Sequence, residues 1–464
     1  MSPVTEAVAA FAISLDAAKL QSSTIEHAKQ SILDLIGIAA RARAESDTTK
    51  IVHRVVREIG ASGKATAVAY GPQFAVQYAA LLNGCSFHAL DFDDTHELSS
   101  LHPGAPVIAA ALPVAEQQAV SGRALLAAIV AGYDVTVRIG IAIRPHVHYA
   151  RGFHPTATAG TFGATAAVAR LRGATPATLA SAFGINLSQA AGSLQFSADG
   201  AQTKPLQVGL AAHNAVLAER FAAAGLRGPA EALEGRSGFL HAYSDDAAAA
   251  DLLENWDGVH EIDRTAFKPY PCCRYIHSAV DQLADIVREH RLTPDAIEHV
   301  RIGLPATGMR LVGDPEESKR HPRSVVDKQF SMYHAAAATI VWGSVRWADY
   351  ARPDDAQLAR LIERITVSND PEIEALAPRM ASKVEVDAGN VHERRVAASP
   401  RGEPDRPLEW DELIAKFNDL ASVTWDAARR KRIVEGVRRL DRITDVRPFT
   451  TELGADPKAW IPVR

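Results

Sequence analysis

The sequence predicts a mainly α-helical protein with a smaller α+β domain inserted into it. Three observations favour this fold class. Alanine-rich stretches with helical periodicity run to about residue 260, strand-like alternation is confined to residues between 297 and 399, and helical patterns return after residue 407. A chain of 464 residues is also too long for a single compact core, so it divides into two or three domains.

The composition narrows the class of protein and its partners. Hydrophobic residues make up 47% and charged residues 23% of the chain, which is typical of an ordinary globular protein. A net charge of −5 provides no broad basic field, so nucleic acid is not expected as a partner. The three cysteines, two of them adjacent (Cys272 and Cys273), cannot form a disulfide framework. We therefore expect a reducing compartment, the cytoplasm.

The first part of the chain consists of helical patterns. Residues 1–20 lack a basic segment before their apolar residues and are typical of an amphipathic helix, not an export signal. Gly160, Gly163 and Ala164 lie on nearly one face of a helix, which predicts a close helix crossing. Three further segments are alanine-rich and periodic, and alanine is the best helix former: 24–43, 73–92 and 158–173.

The most apolar run of the sequence, residues 124–143, is long enough to be compared with a membrane span. It carries Asp134 and Arg138 near its middle, where a bilayer would penalise both charges. The run is therefore predicted to be a buried helix, and no membrane is expected as a partner.

The alanine-rich helical pattern gives way to a mixture of helical and strand patterns after residues 255–275, where Pro269 and Pro271 interrupt helix continuity. The chain thus divides into a helical domain over 1–265, an inserted α+β domain over 266–402, and a helical return over 403–464. Helices are predicted at 276–290, 327–343, 355–365, 408–423 and 426–440, and strands at 297–305 and 382–389, with 394–399 as a weaker candidate.

Residues 88–104, "HALDFDDTHELSSLHPG", place three histidines and four carboxylates among apolar residues. Buried charge is costly unless it is paired or used, so a metal site, a solvated loop and a proton-transfer site are the alternatives. The spacing matches neither an EF-hand loop nor a helical zinc motif, and no metal is predicted. The candidate metal ligands would be His88, Asp91, Asp93, Asp94 and His96, and the proton-transfer residues Asp91, Thr95 and His102.

Two further stretches carry single candidates. His154 precedes Pro155, which suits the first position of a helix, and the positive end of the helix dipole favours a neutral imidazole there. The alternative for His154 is a purely structural role. Lys204 lies in the polar segment 199–209 and is predicted to fall outside a regular helix face. Its ammonium is either a carboxylate anchor or simply solvated.

The fourth stretch, residues 267–277, combines Lys268, Arg274 and His277 in a proline-rich loop at the predicted domain junction. Two cations and a histidine in such a cleft point to an anionic ligand. The adjacent cysteines have no recognisable protease context, so covalent cysteine catalysis is not favoured. The glycine-rich loops that cradle phosphates do not occur, and no nucleotide, flavin or nicotinamide cofactor is indicated.

In this order and at these intervals, the stretches "NGCSFHALDFDDT", "HPG", "RGFHPT", "KP", "KPYPCC" and "QFSMYHAAAA" resemble the 2-methylcitrate dehydratase (MmgE/PrpD) family. This family also contains cis-aconitate decarboxylases and an iminodisuccinate epimerase. The resemblance implies an enzyme without cofactor, usually a homodimer, with a helical domain, an α+β lid and an active site between them.

The resemblance also implies which residues form the site. It places catalytic groups at Asp91, Thr95, His102 and His154, and the substrate-binding lysines at Lys204 and Lys268. Cys273 stands where the decarboxylase members have a second histidine, and Arg274 is the further cation beside it.

The family's shared chemistry is a proton moved on or off a carbon next to a carboxylate. We therefore expect a lyase or isomerase acting on a small di- or tricarboxylate, with the lysines stabilising negative charge on the carboxylate oxygens. Dehydration of a 2-methylcitrate-like hydroxy acid ranks first and epimerisation of an iminodisuccinate-like dicarboxylate second. Decarboxylation of the cis-aconitate type ranks lower because of Cys273. A metal-dependent hydrolase also ranks lower, because the spacing of the candidate ligands matches no metal motif.

Overall fold

The computed structural model describes residues 3–454 except 255, 257 and 354. The chain is 59% helical with a small mixed sheet, which confirms the mainly α prediction. It forms two compact units: unit 1 comprises Met1–Thr265 with Glu409–Arg464, and unit 2 comprises Ala266–Leu408. The domains at 1–265, 266–402 and 403–464, and the lid role of the second, stay predictions.

Unit 1 is built mainly from helices. Its first part contains α1 (Val4–Ser14), α2 (Ser22–Glu45), α3 (Asp47–Glu58), α4 (Val76–Phe87), α5 (Gly104–Gln118), α6 (Gly122–Ala142), α7 (Pro145–Ala150), α8 (Pro155–Thr158), α9 (Gly160–Leu171), α10 (Pro176–Leu187), α11 (Phe196–Asp199), α12 (Thr203–Ala223) and α13 (Phe239–Tyr243). Short strands are β1 (Ser62–Ala67), β2 (Gly71–Phe74), β3 (Thr95–His96) and β4 (Thr265–Ala266), and 3₁₀ helices span Ala249–Leu253 and Glu261–Arg264.

Helices α4, α5, α6, α9 and α12 pack against one another as the centre of unit 1. Small residues let them approach closely. A Cβ added to Gly160 would lie 2.6 Å from the Pro106 side chain of α5, and one added to Gly163 would overlap Thr136 of α6. The close crossing predicted from the Gly160 and Gly163 face is therefore confirmed.

Helix α6 is the buried helix predicted from the apolar run at 124–143. By length and composition alone it is long and apolar enough to cross a membrane, but nearly all of it is covered by the rest of the protein. Its two central charges are paired inside unit 1. Asp134 accepts a hydrogen bond from the Glu261 backbone N–H (2.7 Å) and interacts with His260 (2.8 Å), and Arg138 forms an ion pair with Glu261 (3.2 Å).

A β-hairpin in unit 1 was not predicted. Strands β1 and β2 pair antiparallel within a region expected to be helical throughout. The tight connection uses residues in the left-handed region, Ala69 (φ 65°) and Gly71 (φ 108°). The hairpin was not predictable, because its strands are too short to give a clear alternation of apolar and polar residues within an alanine-rich region.

Unit 2 contains a four-stranded sheet with helices packed on it. The helices are α14 (Arg274–His290), α15 (Ala306–Gly308), α16 (Glu316–Arg320), α17 (Val325–Gln329), α18 (Met332–Trp342), α19 (Ala356–Ile362) and α20 (Pro371–Glu374). The strands are β5 (His299–Leu304), β6 (Ile365–Asn369), β7 (Ser382–Ala388) and β8 (Val391–Ala397), in the order β6-β5-β7-β8. Strands β5 and β6 are parallel and the other pairs antiparallel. Other helical turns span Pro294–Ala296, Met309–Gly313 and Trp347–Ala351.

The structure corrects two predictions within unit 2. The helix expected over 327–343 is divided into α17 and α18, because the Ser331 side chain accepts a hydrogen bond from the His334 N–H (3.0 Å) and starts a new helix. Strand β6 was not predicted, because it follows closely on α19 and the helix expected over 355–365 extends into its first residue. The weaker strand candidate at 394–399 corresponds to β8.

The chain returns to unit 1 through α21 (Trp410–Ala421), α22 (Ala427–Arg438) and α23 (Arg447–Glu452), with a 3₁₀ turn at Leu440–Arg442. Helix α21 packs on α2. Beside this packing, Lys416 of α21 forms a buried ion pair with Asp34 of α2 (2.7 Å) and donates to the Phe92 carbonyl (2.9 Å). The last helices therefore support the chain within residues 88–104.

Burial of neutral imidazoles predicts acid sensitivity. Burial lowers the pKa from 6.5 to about 4 in a set of histidines: His27, His53, His88, His148 and His334. Below pH 6.5 these histidines take up protons in the unfolded chain but stay neutral in the folded chain. Their contribution to the free energy of unfolding is therefore fully present above pH 6.5 and is lost as the pH falls towards 4.

The His334→Phe variant is expected to reduce the stability difference between pH 7 and pH 5 by about 2 kcal/mol, since this imidazole no longer takes up a proton on unfolding. Calorimetric melts of the full chain at both pH values measure the effect. His299→Phe, at an exposed position in β5, is the matched control. An unchanged pH dependence in His334→Phe would contradict the assignment.

Candidate active site

The loop between α4 and α5 carries most of the candidate side chains. Helix α4 ends at Phe87, and His88 follows as its C-cap. Within this loop His88, Asp91, Asp93 and Asp94 are all buried. Asp91 has a φ of 51°, in the left-handed region that a non-glycine residue adopts at some energetic cost. The loop is therefore a buried, conformationally constrained segment, which rules out the alternative of a solvated loop.

Lys204 is the partner of Asp91. Contrary to the prediction from the sequence, it lies on a regular helix, in the first turn of α12. The reason is that α12 begins at Thr203, inside the polar segment that is typical of a loop. Its Nζ lies 2.6 Å from Asp91 Oδ1, and the two side chains are 16% and 8% exposed. The pair thus joins the 88–104 loop to α12 and leaves part of the Lys204 side chain accessible.

His102 lies next to this pair. Its Nε2 is 4.0 Å from Asp91 Oδ1. Its Nδ1 is 3.3 Å from Asp93 Oδ2, a contact that is not aligned as a hydrogen bond. Its backbone N–H donates to the Thr156 hydroxyl in α8 (3.2 Å). The His102 side chain is 15% exposed, which makes it more accessible than the side chains of Asp91, Asp93 and His88.

His154 is held from α8 and α12. Pro155 occupies the first helical position of α8 with His154 as N-cap, as predicted. His154 Nδ1 lies 3.0 Å from Gln207 Oε1, and the Gln207 amide donates to the Ser193 carbonyl (2.9 Å). Since the Gln207 oxygen can only accept, Nδ1 carries the hydrogen, and in the neutral ring Nε2 is the acceptor.

His88 lies between the other two imidazoles. Its ring contacts His102 edge-on (centroids 4.8 Å apart) and stacks on His154 (5.5 Å). Its Nδ1 is 2.7 Å from Asp93 Oδ2. The structure therefore brings three imidazoles together beside the Asp91–Lys204 pair.

The neighbouring groups have clearly different proton affinities. Burial lowers the pKa of His88 to about 4. Burial, with further contributions from the neighbouring His88 ring and from the Lys204 ammonium, lowers the pKa of His154 well below its usual range. Burial alone would raise the pKa of Asp93, but the two imidazoles beside it hold that pKa well below its ordinary value. Burial and the charge of Asp93 raise the pKa of Asp94 to about 8. Near pH 7, His88 and His154 are thus neutral, Asp93 is charged and Asp94 is protonated.

Three residues of this cluster were not predicted as catalytic or binding residues. His88 and Asp93 were expected only as possible metal ligands, and Gln207 was not a candidate. Signals for them exist in the sequence: His88 and Asp93 fall within the quoted motif, and Gln207 follows Lys204 by three residues on one helix. Thr95, which was predicted, lies buried in β3 four residues after Asp91.

The atoms of His88, Asp93 and His102 are also close enough to share a metal ion. One ligand atom from each residue lies within 4.8 Å of the others. Two imidazoles and a carboxylate form a donor set found in divalent metal sites. These residues are therefore the ones that would hold a metal ion in the part of the chain that the structure describes.

The packing around Gly104 explains why the motif at 102–104 ends in glycine. A Cβ at this position would overlap the Tyr133 hydroxyl and Asp94 Oδ1, and Tyr133 donates to Asp94 Oδ2 (2.9 Å). A serine or alanine here must displace a buried hydrogen-bonded pair. The motif is thus set by packing behind the site.

The Gly104→Ala variant is expected to lose about 1–3 kcal/mol of unfolding free energy, as in other overpacked cores. Denaturant unfolding of the full chain measures the loss. Gly173→Ala measures backbone strain without a clash for comparison, since Gly173 has a positive φ (67°) that Gly104 lacks and a Cβ there meets no atom within 4 Å. A Gly104→Ala protein as stable as the parent would show that Tyr133 and Asp94 can move without cost.

In unit 2, the predicted substrate-binding residues lie at or just before the start of α14. Lys268 is 1% exposed, and Cys273 is the N-cap of α14, with its N–H donating to the Gln329 carbonyl (2.9 Å). The Arg274 guanidinium donates to Glu403 (2.8 Å) and to the Arg401 carbonyl (3.0 Å). Arg274 therefore holds residues 401–403 against α14. Substrate binding by Lys268, Cys273 and Arg274 stays a prediction.

Comparison with known proteins identifies one family over most of the chain. The sequence profile of the MmgE/PrpD N-terminal domain matches residues 6–251, and that of the MmgE/PrpD C-terminal domain matches residues 270–442.

Individual proteins are similar over nearly the full length. The cis-aconitate decarboxylase of Aspergillus terreus (strain NIH 2624 / FGSC A1156) is 27% identical over 487 residues, covering 99% of this chain and 97% of that protein. The cis-aconitate decarboxylase of Mus musculus is 26% identical, covering 97% of this chain and 93% of that protein. The one from Homo sapiens is 25% identical, covering 98% and 95% respectively.

Proposed function

Because the chain belongs to the MmgE/PrpD family, an enzyme family with lyase-type chemistry, we propose that it moves a proton at a carbon next to a carboxylate of a small di- or tricarboxylate. The single observation that carries this proposal is the Asp91–Lys204 ion pair beside three imidazoles. It combines a fixed positive charge with groups that exchange protons, which is what such a reaction needs.

Lys204 supports the binding of a carboxylate. Its ammonium carries three N–H donors, and the contact with Asp91 Oδ1 fixes its position. An ammonium held in place by a neighbouring carboxylate stabilises negative charge that develops on a substrate oxygen without having to reorganise. In this role Asp91 orients Lys204 and keeps its charge in the site.

His102 and His154 support the proton transfer. His154 is neutral and presents Nε2 as an acceptor, since Nδ1 donates to Gln207. His102 is partly accessible and stands beside the Asp91–Lys204 pair. We assign proton delivery or removal at the reacting carbon to His102, and acceptance of a substrate hydrogen bond to His154.

Two reactions fit this assignment. In decarboxylation, a carboxylate leaves as carbon dioxide, its electron pair stays on carbon, and a proton from the site completes the product. In dehydration, the site removes a proton from carbon and a hydroxyl leaves with a proton as water. The names of the relatives favour decarboxylation of cis-aconitate as the first candidate. Cys273, in place of the histidine expected in decarboxylases, keeps dehydration of a 2-methylcitrate-like acid as the second.

The test is a panel of cis-aconitate, 2-methylcitrate, citrate and iminodisuccinate, assayed by proton NMR in deuterium oxide. We expect carbon dioxide release with one deuterium incorporated at carbon from cis-aconitate. A new alkene from 2-methylcitrate or citrate would support the second candidate instead. Deuterium exchange in iminodisuccinate without loss of a group would indicate epimerisation. No reaction and no exchange with any of the four would contradict the proposal.

The same assay addresses the expectation that the enzyme works without a cofactor. Activity that survives exhaustive chelation and dialysis would support it. A homodimer and a cytoplasmic location remain predictions.

A further inference from the structure

We propose that Asp93 is a positioning residue that holds His102 in one tautomer, and that His88 anchors Asp93 for this task; the inference rests on the function proposed above. Neither residue is needed to touch the substrate in that function. Both are fully buried behind His102, where the side chains of His88 and Asp93 have no exposed area.

The tautomer follows from the contacts of a single oxygen. Asp93 Oδ2 lies 2.7 Å from His88 Nδ1 and 3.3 Å from His102 Nδ1. A charged carboxylate only accepts hydrogen bonds, so His88 Nδ1 carries hydrogen. At His102 the Asp93 oxygen is nearer to Nδ1 than the Asp91 oxygen is to Nε2, and Asp91 is already paired with Lys204. The negative charge of Asp93 therefore favours the hydrogen on Nδ1 of His102. In a neutral His102 the basic nitrogen is then Nε2, the atom 4.0 Å from Asp91 Oδ1. Asp93 therefore directs the proton-accepting atom of His102 towards the Asp91–Lys204 pair.

His88 keeps Asp93 in place from the other side. Its short contact with Oδ2 is a hydrogen bond between two buried groups, and such bonds to a charged group are strong. The ring is also confined between His102 and His154.

The same three residues could instead ligate a metal, but their spacing favours hydrogen bonding. Metal bonds of about 2.0–2.2 Å from N and O ligands place two ligand atoms of one ion roughly 3 Å or more apart. His88 Nδ1 and Asp93 Oδ2 are 2.7 Å apart. This contact joins the two residues directly.

The experiment compares Asp93→Asn with Asp94→Asn. An amide at 93 can turn its NH₂ towards the imidazoles and favour the opposite tautomer of His102, so kcat should fall on the order of a hundredfold, with KM changed less than about threefold. Asp94 is the adjacent buried carboxyl, and it accepts a hydrogen bond from Tyr133 instead of facing an imidazole. Its replacement by a neutral amide is the matched control, expected to leave kcat within about threefold of the parent.

Two variants of His88 test the anchoring role. In His88→Asn the side-chain NH₂ can replace the Nδ1–H donor to Asp93, so most activity should remain. In His88→Leu no donor remains, and kcat should fall in the same direction as in Asp93→Asn. Equal losses in both His88 variants would overturn the anchoring role.

Nitrogen NMR of histidine-labelled protein reports the tautomer without any substrate. The parent should show a His102 signal protonated at Nδ1, and Asp93→Asn one protonated at Nε2. If the parent is inactive on every substrate, the proposed function fails and this spectrum alone decides the role of Asp93. An unchanged tautomer with parental kcat would overturn the inference, as would a bound divalent metal that is lost in Asp93→Asn.

Discussion

Replacing Lys204 with methionine is expected to lower kcat/KM for the carboxylate substrate on the order of a hundred- to a thousandfold. The ammonium is the positive charge that the structure holds 2.6 Å from Asp91 and beside the imidazole cluster. In the variant, this ammonium no longer stabilises the negative charge that develops on the substrate oxygens. Steady-state kinetics on the substrate identified by the NMR panel measures the loss.

Removal of Lys204 also leaves the buried carboxylate of Asp91 without its ammonium partner. This loss is expected to lower the free energy of unfolding by about 3–5 kcal/mol. The double variant Asp91→Asn with Lys204→Met removes both charges and should recover much of this stability but not the activity. Lys29→Met is the matched control, since Lys29 is 3% exposed and pairs with Asp441 (2.6 Å) away from the imidazoles of the site. It should lose stability while kcat/KM stays within about threefold of the parent. Parental turnover by Lys204→Met would contradict the role of the ammonium.

Replacing His102 with glutamine is expected to lower kcat by about 10²–10⁴-fold, the usual contribution of a general acid or base. A glutamine amide reaches a similar position but cannot take up and release a proton. Deuterium incorporation at the reacting carbon should fall in parallel with product formation. Stopped-flow or single-turnover NMR separates this chemical step from binding.

His53→Gln is the control for His102→Gln. It replaces another imidazole of unit 1, one that stacks on Tyr70 (ring centroids 4.5 Å apart). We expect its kcat to remain close to that of the parent. If His102→Gln keeps parental kcat while the corresponding His154 variant loses it, the two histidines have exchanged the roles assigned here.

Much of the secondary structure was predictable because it depends on neighbouring residues. Helix α14, strands β5 and β7 and the buried helix α6 follow from the local spacing of apolar side chains. The hairpin β1–β2 and the break between α17 and α18 were not predicted. The hairpin depends on a short turn in alanine-rich sequence, and the break on one serine that caps a helix.

The site was predictable in part. Asp91, His102, His154 and Lys204 were predicted from their stretches, and the structure brings these four together in unit 1. His88, Asp93 and Gln207 were identified as part of the site only from the structure, because their roles depend on which atoms face one another. The roles of Thr95 and of the unit 2 residues stay predictions.

The mainly helical character of the chain and the stretches that carry ionisable side chains were predictable, since both depend on residue type and short-range periodicity. The contact of Asp91 with Lys204, 113 residues further along the chain, and the charge state of two adjacent carboxyl groups depend on the folded arrangement. Burial and neighbouring charge act through space, so Asp93 and Asp94 have opposite pKa shifts although they are consecutive in the chain.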